Sequence, residues 1–159
     1  YLQYEDYIGT YTATVDDYDE GPTSQSVTIT PKVRGESYTL KSIGGFNFTL
    51  LYDKASGKLI LDSQSISPVS SSSYYFACAA GVEGYAHTEL SLPSRLRSGL
   101  VNVTANTNPF TFYFADKASQ ENTLLIIWAY SSDEYSTSGL MGYWSWYNSI
   151  LMEKENEGN

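Results

Sequence analysis

A chain of 159 residues that is 42% hydrophobic suffices for one domain with a real core, and its formal charge of −9 excludes the clustered cations that nucleic acid or an anionic membrane surface would require. Fifteen Tyr in an aromatic share of 15%, against 17% charged residues, favour pleated, half-buried surfaces over long solvent-facing helices. A single cysteine, Cys78, excludes an internal disulfide; set in an apolar run with no cationic neighbour, it reads as a small buried hydrophobe rather than a reactive thiol.

Residues 1–7 form a polar, acidic lead-in. Residues 8–16 are the first predicted strand, with Tyr11, Ala13 and Val15 on one face and Thr10, Thr12 and Thr14 on the other. An acidic loop over 16–22 follows. Tyr18 and Glu20 break its Asp spacing, and Val27 stands where a calcium loop needs its closing Glu, so no metal is assigned there. In the next run Val27, Ile29 and Val33 alternate with Thr28, Thr30 and Lys32. Pro31 marks an edge or a bulge, because proline cannot donate to a ladder. The chain turns back at 34–37, and Leu40 sits among Tyr38, Thr39, Lys41 and Ile43. Gly44-Gly45 between two alternating runs is a hairpin signal, since two-residue loops need positive φ. Phe46, Phe48, Leu50 and Tyr52 then alternate with Asn47, Thr49, Leu51 and Asp53, and residues 58–66 carry a further alternating run.

A Ser-rich loop over 67–73 leads to a strand at 74–82, whose Ala77, Ala79 and Ala80 suit close approach across a barrel or beneath a ligand. Residues 84–105 are the least regular part, with room for one helical turn after Pro93 ended by Gly99. So long a connection is either functional or caps an end. Residues 110–115 form a strand with Phe110, Phe112 and Phe114 on one face, and 116–122 a polar turn. Residues 123–130 are almost continuously apolar, which predicts a central strand covered on both faces or pressed against another layer. After a polar loop at 131–139, residues 143–153 make the final run, with Trp144, Trp146 and Ile150 opposite Tyr143, Ser145, Tyr147 and Ser149. The tail 154–159 is polar and expected to fray.

The pattern predicts one all-β domain over 1–159: an antiparallel up-and-down meander of about eight to ten strands, closed into a barrel whose last strand returns beside the first. Closure removes the exposed edges that a Val/Thr/Tyr-rich sheet would otherwise present. A two-sheet β-sandwich is the alternative. No apolar run of about eighteen residues exists, so no transmembrane helix and no direct membrane insertion of this domain are expected. A signal peptide is not seen, and the start at Tyr1 leaves an upstream export signal or lipid anchor open. The triplets at Asn47 and Asn102 are not read as glycan sites.

The opening Ile8-Gly9-Thr10-Tyr11, followed by a meander, resembles the start of calycin-type barrels, the lipocalin and avidin-like group. Tyr11 stands where that group carries the Trp of Gly-X-Trp. The chain departs from true lipocalins in lacking their helix after the barrel and their disulfides. Its Tyr, Thr and Ser-rich texture is similar to the β-barrel domains of secreted surface lipoproteins of gut Gram-negative bacteria. The resemblance implies an exported, non-enzymatic domain, periplasmic or anchored at the cell surface.

Catalytic residues are not assigned. His87 is the one histidine, with Glu83 and Glu89 near it, and a triad or a zinc site would have to use it. Gly-X-Ser-X-Gly and phosphate loops are absent, so neither an enzyme nor a cofactor is expected. The aromatic residues carry more: Trp128, Trp144, Trp146, Tyr11, Tyr52, Tyr113 and Tyr130 lie on strands that a closed barrel would bring together. They either fill the core or line a pocket or mouth for an apolar molecule or a sugar ring. The expected function is therefore a non-enzymatic binding module for a small molecule or glycan. The alternatives are a structural or adhesion domain with protein partners at the cell surface, and a hydrolase.

Overall fold

The structure is a computed structural model and describes residues 2–80, 100–107, 110–116 and 125–155. Its strands are β1 (Gly9–Asp17), β2 (Gly21–Val33), β3 (Ser37–Ile43), β4 (Phe46–Asp53), β5 (Lys58–Leu61), β6 (Gln64–Pro68), β7 (Tyr75–Ala80), β8 (Leu100–Thr107), β9 (Phe110–Asp116), β10 (Leu125–Tyr130) and β11 (Leu140–Lys154). All pairings are antiparallel, and β1 pairs with β11 from Tyr11↔Lys154 to Asp17↔Tyr147. The sheet is thus closed, and the predicted barrel, with its last strand beside its first, is the observed one.

These strands make eight staves that follow one another in chain order. β4 pairs with β5 through Leu51↔Ile60 and with β6 through Phe46↔Pro68, so β5 and β6 are two lengths of one stave broken at Asp62-Ser63. On the far side of that stave stand β8 beside β5 and β7 beside β6. β9 and β10 in turn share the length of β11, through Phe114↔Ile150 and Leu125↔Tyr147. β7 and β8 are therefore two lengths of one stave, and β9 and β10 two lengths of the next. The two breaks lie side by side, since Leu100 pairs with Asp116 and Ala80 with Leu125.

The interior side of the wall is apolar, as the alternation requires. Tyr11, Ile29, Tyr38, Leu40, Leu50, Phe112 and Phe114 are all fully buried in one cluster. β10 is covered on both faces, with Leu125, Ile126 and Ile127 each fully buried, as its continuous apolar run predicts. Gly44 and Gly45 have φ of 59° and 83° and join the paired Ile43 and Phe46, the two-residue turn read from the sequence. Pro31 sits at a register shift between Pro31 and Val33, and the bulge turns Val33 out to 49% exposure instead of into the core beside Ile29.

Several expectations need correction. Residues 100–105, read as irregular, belong to β8, and the acidic loop is short, because β2 already begins at Gly21. The helical turn after Pro93 lies outside the described residues, as do His87 and residues 156–159 of the tail. Lys154 is not frayed: it ends β11, and its ammonium donates to the Asp6 carbonyl at 2.9 Å.

The lead-in departs furthest from expectation. Tyr4–Tyr7 form a 3-10 turn that closes one end of the barrel, here called the base. Tyr4 and Tyr7 are three apart, so one face of the turn presents both to the core. Tyr4 stacks on Tyr38 with centroids 4.4 Å apart. Every phenol there donates to a backbone carbonyl: Tyr4 to Ser37 at 2.6 Å, Tyr7 to Gly57 at 2.5 Å, Tyr11 to Tyr7 at 2.7 Å and Tyr38 to Tyr4 at 2.9 Å. The rings are buried without orphaning their hydroxyls, which makes aromatic burial of this kind affordable.

Candidate functional site

The opposite end, the rim, is built from the β1–β2 turn, the Gly44-Gly45 turn, residues 69–74 between β6 and β7, and residues 131–139 between β10 and β11. Among the described residues, seven of the ten large hydrophobic side chains left exposed belong to this end: Tyr18, Val69, Tyr74, Tyr75, Met141, Tyr143 and Trp144. Isolated exposed apolar residues are ordinary, but their concentration at one end is not.

A bulge in β11 organises the rim. β10 pairs Ile127 with Ser145 and then Trp128 with Tyr143, so Trp144 is the extra residue. Trp144 turns towards Phe76, at 5.3 Å and 76°, and Tyr74, at 6.0 Å, and remains 53% exposed. It walls a groove of about 190 Å³ whose floor is Phe46 and Phe76 and whose other sides are Gly44-Gly45, Pro68 and Ser70 to Ser72. Trp146 goes the other way. It lies against Tyr18, at 5.3 Å and 34°, with Tyr143 edge-on at 5.6 Å. The expectation that Trp144 and Trp146 share a face is therefore overturned by the bulge, and Tyr147, Ile150 and Met152 take the buried positions of this strand.

Charge is divided along the barrel. The rim loops and the strand ends beside them carry Asp16, Asp17, Asp19, Glu20, Asp133 and Glu134. Asp17 is committed to the turn, accepting the amides of Asp19 and Glu20 at 2.8 and 3.1 Å. Asp19 accepts the Tyr143 hydroxyl on both carboxylate oxygens at 3.1 Å, and this bond raises the phenol pKa. Lys54 and Lys58 flank the turn at the base, where Arg34 also pairs with Glu5 at 3.8 Å.

The other residues singled out from the sequence do not join the groove. Tyr11 is in the packed interior, and Tyr52 is at the base with its hydroxyl on the Leu2 carbonyl at 2.6 Å. A hollow of about 320 Å³ lies beside Tyr52, lined also by Gln3, Tyr4, Glu5, Gly35 and Lys54. Tyr113 is exposed on the outer wall. Trp128 is half-buried, next along β10 from the core residue Ile127 and hence on the opposite face. Tyr130 is buried with its ring edge-on to Tyr135 at 5.2 Å. Sequence reasoning missed Phe76, Tyr18 and the serines as site residues. The available signal was the Ser-rich loop running directly into Tyr74-Tyr75-Phe76.

Among the described residues no three His, Cys, Asp or Glu converge to hold a metal, and no helix is long and apolar enough to cross a membrane. Cys78 is buried, with its thiol on the Asp62 carbonyl at 3.8 Å, and burial pushes its pKa up to about 12, the state of an inert core residue.

No curated protein and no solved structure matches the chain. A family profile does match, over residues 1–128, a span that stops within β10 and short of β11. The chain belongs to that family, DUF4987, a domain of unknown function.

Proposed function

We propose that this domain is a non-catalytic, extracytoplasmic binding module that takes a saccharide ring at its rim, against Trp144, rather than inside the barrel. The observation that carries the reading is an indole 53% exposed over a groove of about 190 Å³, with Gly44-Gly45 on one side and serine hydroxyls on another. A pyranose offers an apolar face and a ring of hydroxyls. The indole supplies a flat apolar wall, and the serines supply hydrogen bonds around it. The fully buried Tyr11, Leu40, Leu50 and Phe112 argue against an interior ligand. A chain charge of −9 favours neutral over anionic sugars. The calycin-like closure and the Ser, Thr and Tyr-rich texture support an exported setting.

The test is a titration with neutral oligosaccharides, followed by tryptophan fluorescence and calorimetry. Binding is expected in the parent, with roughly a tenfold or greater loss in Trp144→Ala, as for an aromatic anchor. Saccharide binding that survives Trp144→Ala unchanged would sink the reading. A second reading, an adhesion domain with protein partners, is favoured by the concentration of exposed aromatic side chains at the rim.

A further inference from the structure

The groove at Trp144 uses only part of the rim. On the other side of the β11 bulge, Tyr18 is 63% exposed, and Trp146 backs its ring at 5.3 Å. Tyr143 braces Trp146 edge-on at 5.6 Å and is itself tied to Asp19 through its hydroxyl. The rings are held in place before any partner arrives, which lowers the ordering cost of binding. Asp16, near the end of β1, and Asp19 and Glu20, on the turn, lie within two residues of Tyr18 in sequence. The two segments that build this face contain no compensating cation: residues 1–31 and 118–153 hold neither Lys nor Arg. Of the described cations, Lys41 is on β3, and the others belong to the base turns and strand ends there.

An exposed aromatic face set among uncompensated carboxylates is complementary to one kind of group. A cation over the ring is attracted by the ring quadrupole and by the carboxylates together. A neutral sugar can hydrogen-bond to the carboxylates but gains no charge–charge attraction from them, and an anion is repelled. A planar guanidinium satisfies both features, stacking on the phenol while its fork reaches a carboxylate, which an ammonium cannot match. The exposed rings of Tyr18 and Tyr143, together with Met141 at 57% exposure and polar groups around them, have the composition of a protein-docking patch. We propose that the Tyr18–Trp146–Tyr143 face, with Asp16, Asp19 and Glu20, docks an arginine-bearing segment of a partner protein. The inference does not rest on the saccharide reading, because the two surfaces lie on opposite sides of the bulge.

The test uses a fluorescently labelled hexa-arginine peptide as probe, with anisotropy for affinity and amide chemical shifts for location. Perturbed amides are expected around residues 16–20 and 143–146. Tyr18→Ala should weaken binding about twofold to fivefold without changing net charge, the scale of an exposed cation–π contact. The pair Asp19→Asn, Glu20→Gln should weaken it further and flatten its salt dependence. Hexa-lysine should bind more weakly than hexa-arginine. A control pair at the base, Glu36→Gln with Glu153→Gln, should leave affinity unchanged. Shifts spread over both ends, affinity unaltered by Tyr18→Ala, or equal weakening by the base pair would each overturn the proposal in favour of bulk charge attraction. Trp144→Ala should leave peptide binding intact, and Tyr18→Ala should leave saccharide binding intact, so the two readings fail separately.

Discussion

Phenol hydroxyls on backbone carbonyls hold the base of this barrel, and they set its response to alkali. Tyr11 and Tyr38 are fully buried, and burial raises both pKa values above the ordinary 10.0. Above pH 10 the unfolded chain therefore sheds protons that the folded chain keeps. Stability from these groups is fully present below that pH and is lost as pH rises further, by up to about 1.4 kcal/mol per group per pH unit. Urea titrations at about pH 8 and about pH 11 should show the loss, and Tyr11→Phe should make it shallower. At the rim a single glycine is as tightly constrained. Gly44 has φ of 59°, and a Cβ there would meet the hydroxyl of buried Tyr147, whereas Gly45, at 83°, faces open space. Both Ala substitutions incur the left-handed backbone strain, about 1 kcal/mol or more. Only Gly44→Ala must also move Tyr147, so it should lower the urea midpoint more than Gly45→Ala. Equal effects would mean that the turn alone, and not the contact, demands glycine.

Elements with a single clean period were readable in advance. The run from Phe46 to Leu50, the three phenylalanines of β9 and the doubly covered β10 follow from alternation or its absence. Closure of β1 on β11 followed from the need to cover edges. Elements with a broken period were misread, for a physical reason: a bulge shifts every later side chain by one face. The bulge at Trp144 split a pair of tryptophans that strict alternation put together, and so hid the groove. The base was missed because Gln3, Glu5 and Asp6 make residues 2–7 look solvated, although Tyr4 and Tyr7 are three apart on one face of a 3-10 turn. That turn makes a testable claim on stability. Tyr7 is fully buried among Tyr38, Phe110 and Phe112, and Tyr7→Ala should cost about 3–5 kcal/mol by thermal or urea unfolding. Trp144→Ala removes a larger side chain from the rim and should cost under about 1 kcal/mol. A lead-in that merely covers solvated surface would reverse that order.

At the scale of the whole molecule the ladder itself marks which parts the barrel needs. Leu61 pairs with Leu100 and Gln64 with Cys78, on two strands separated in sequence by residues 81–99. Joining Ala80 directly to Leu100 brings those two pairings into one uninterrupted register, with Asp62 falling opposite Ala80 and Leu61 opposite Leu100. Residues 117–124 stand in the same relation to the next stave, because joining Asp116 to Leu125 makes the pairings of β9 and β10 with β11 continuous. Both joins also bring the β8–β9 and β7–β10 pairings into one register, so neither repairs one side at the expense of the other. An eight-stave barrel without either segment is then a complete antiparallel ring with every stave beside its chain neighbour. Excising 81–99, 117–124 or both should leave a folded protein with β-type circular dichroism and a cooperative thermal transition, since the pairings on both sides of each join stay in register. Cutting a stave elsewhere, for instance deleting Thr28 to Thr30 from β2, shifts register against both neighbours and should abolish folding. If the excised barrels fail to fold while full-length protein made in parallel folds, the two segments are part of the structural ring rather than insertions in it.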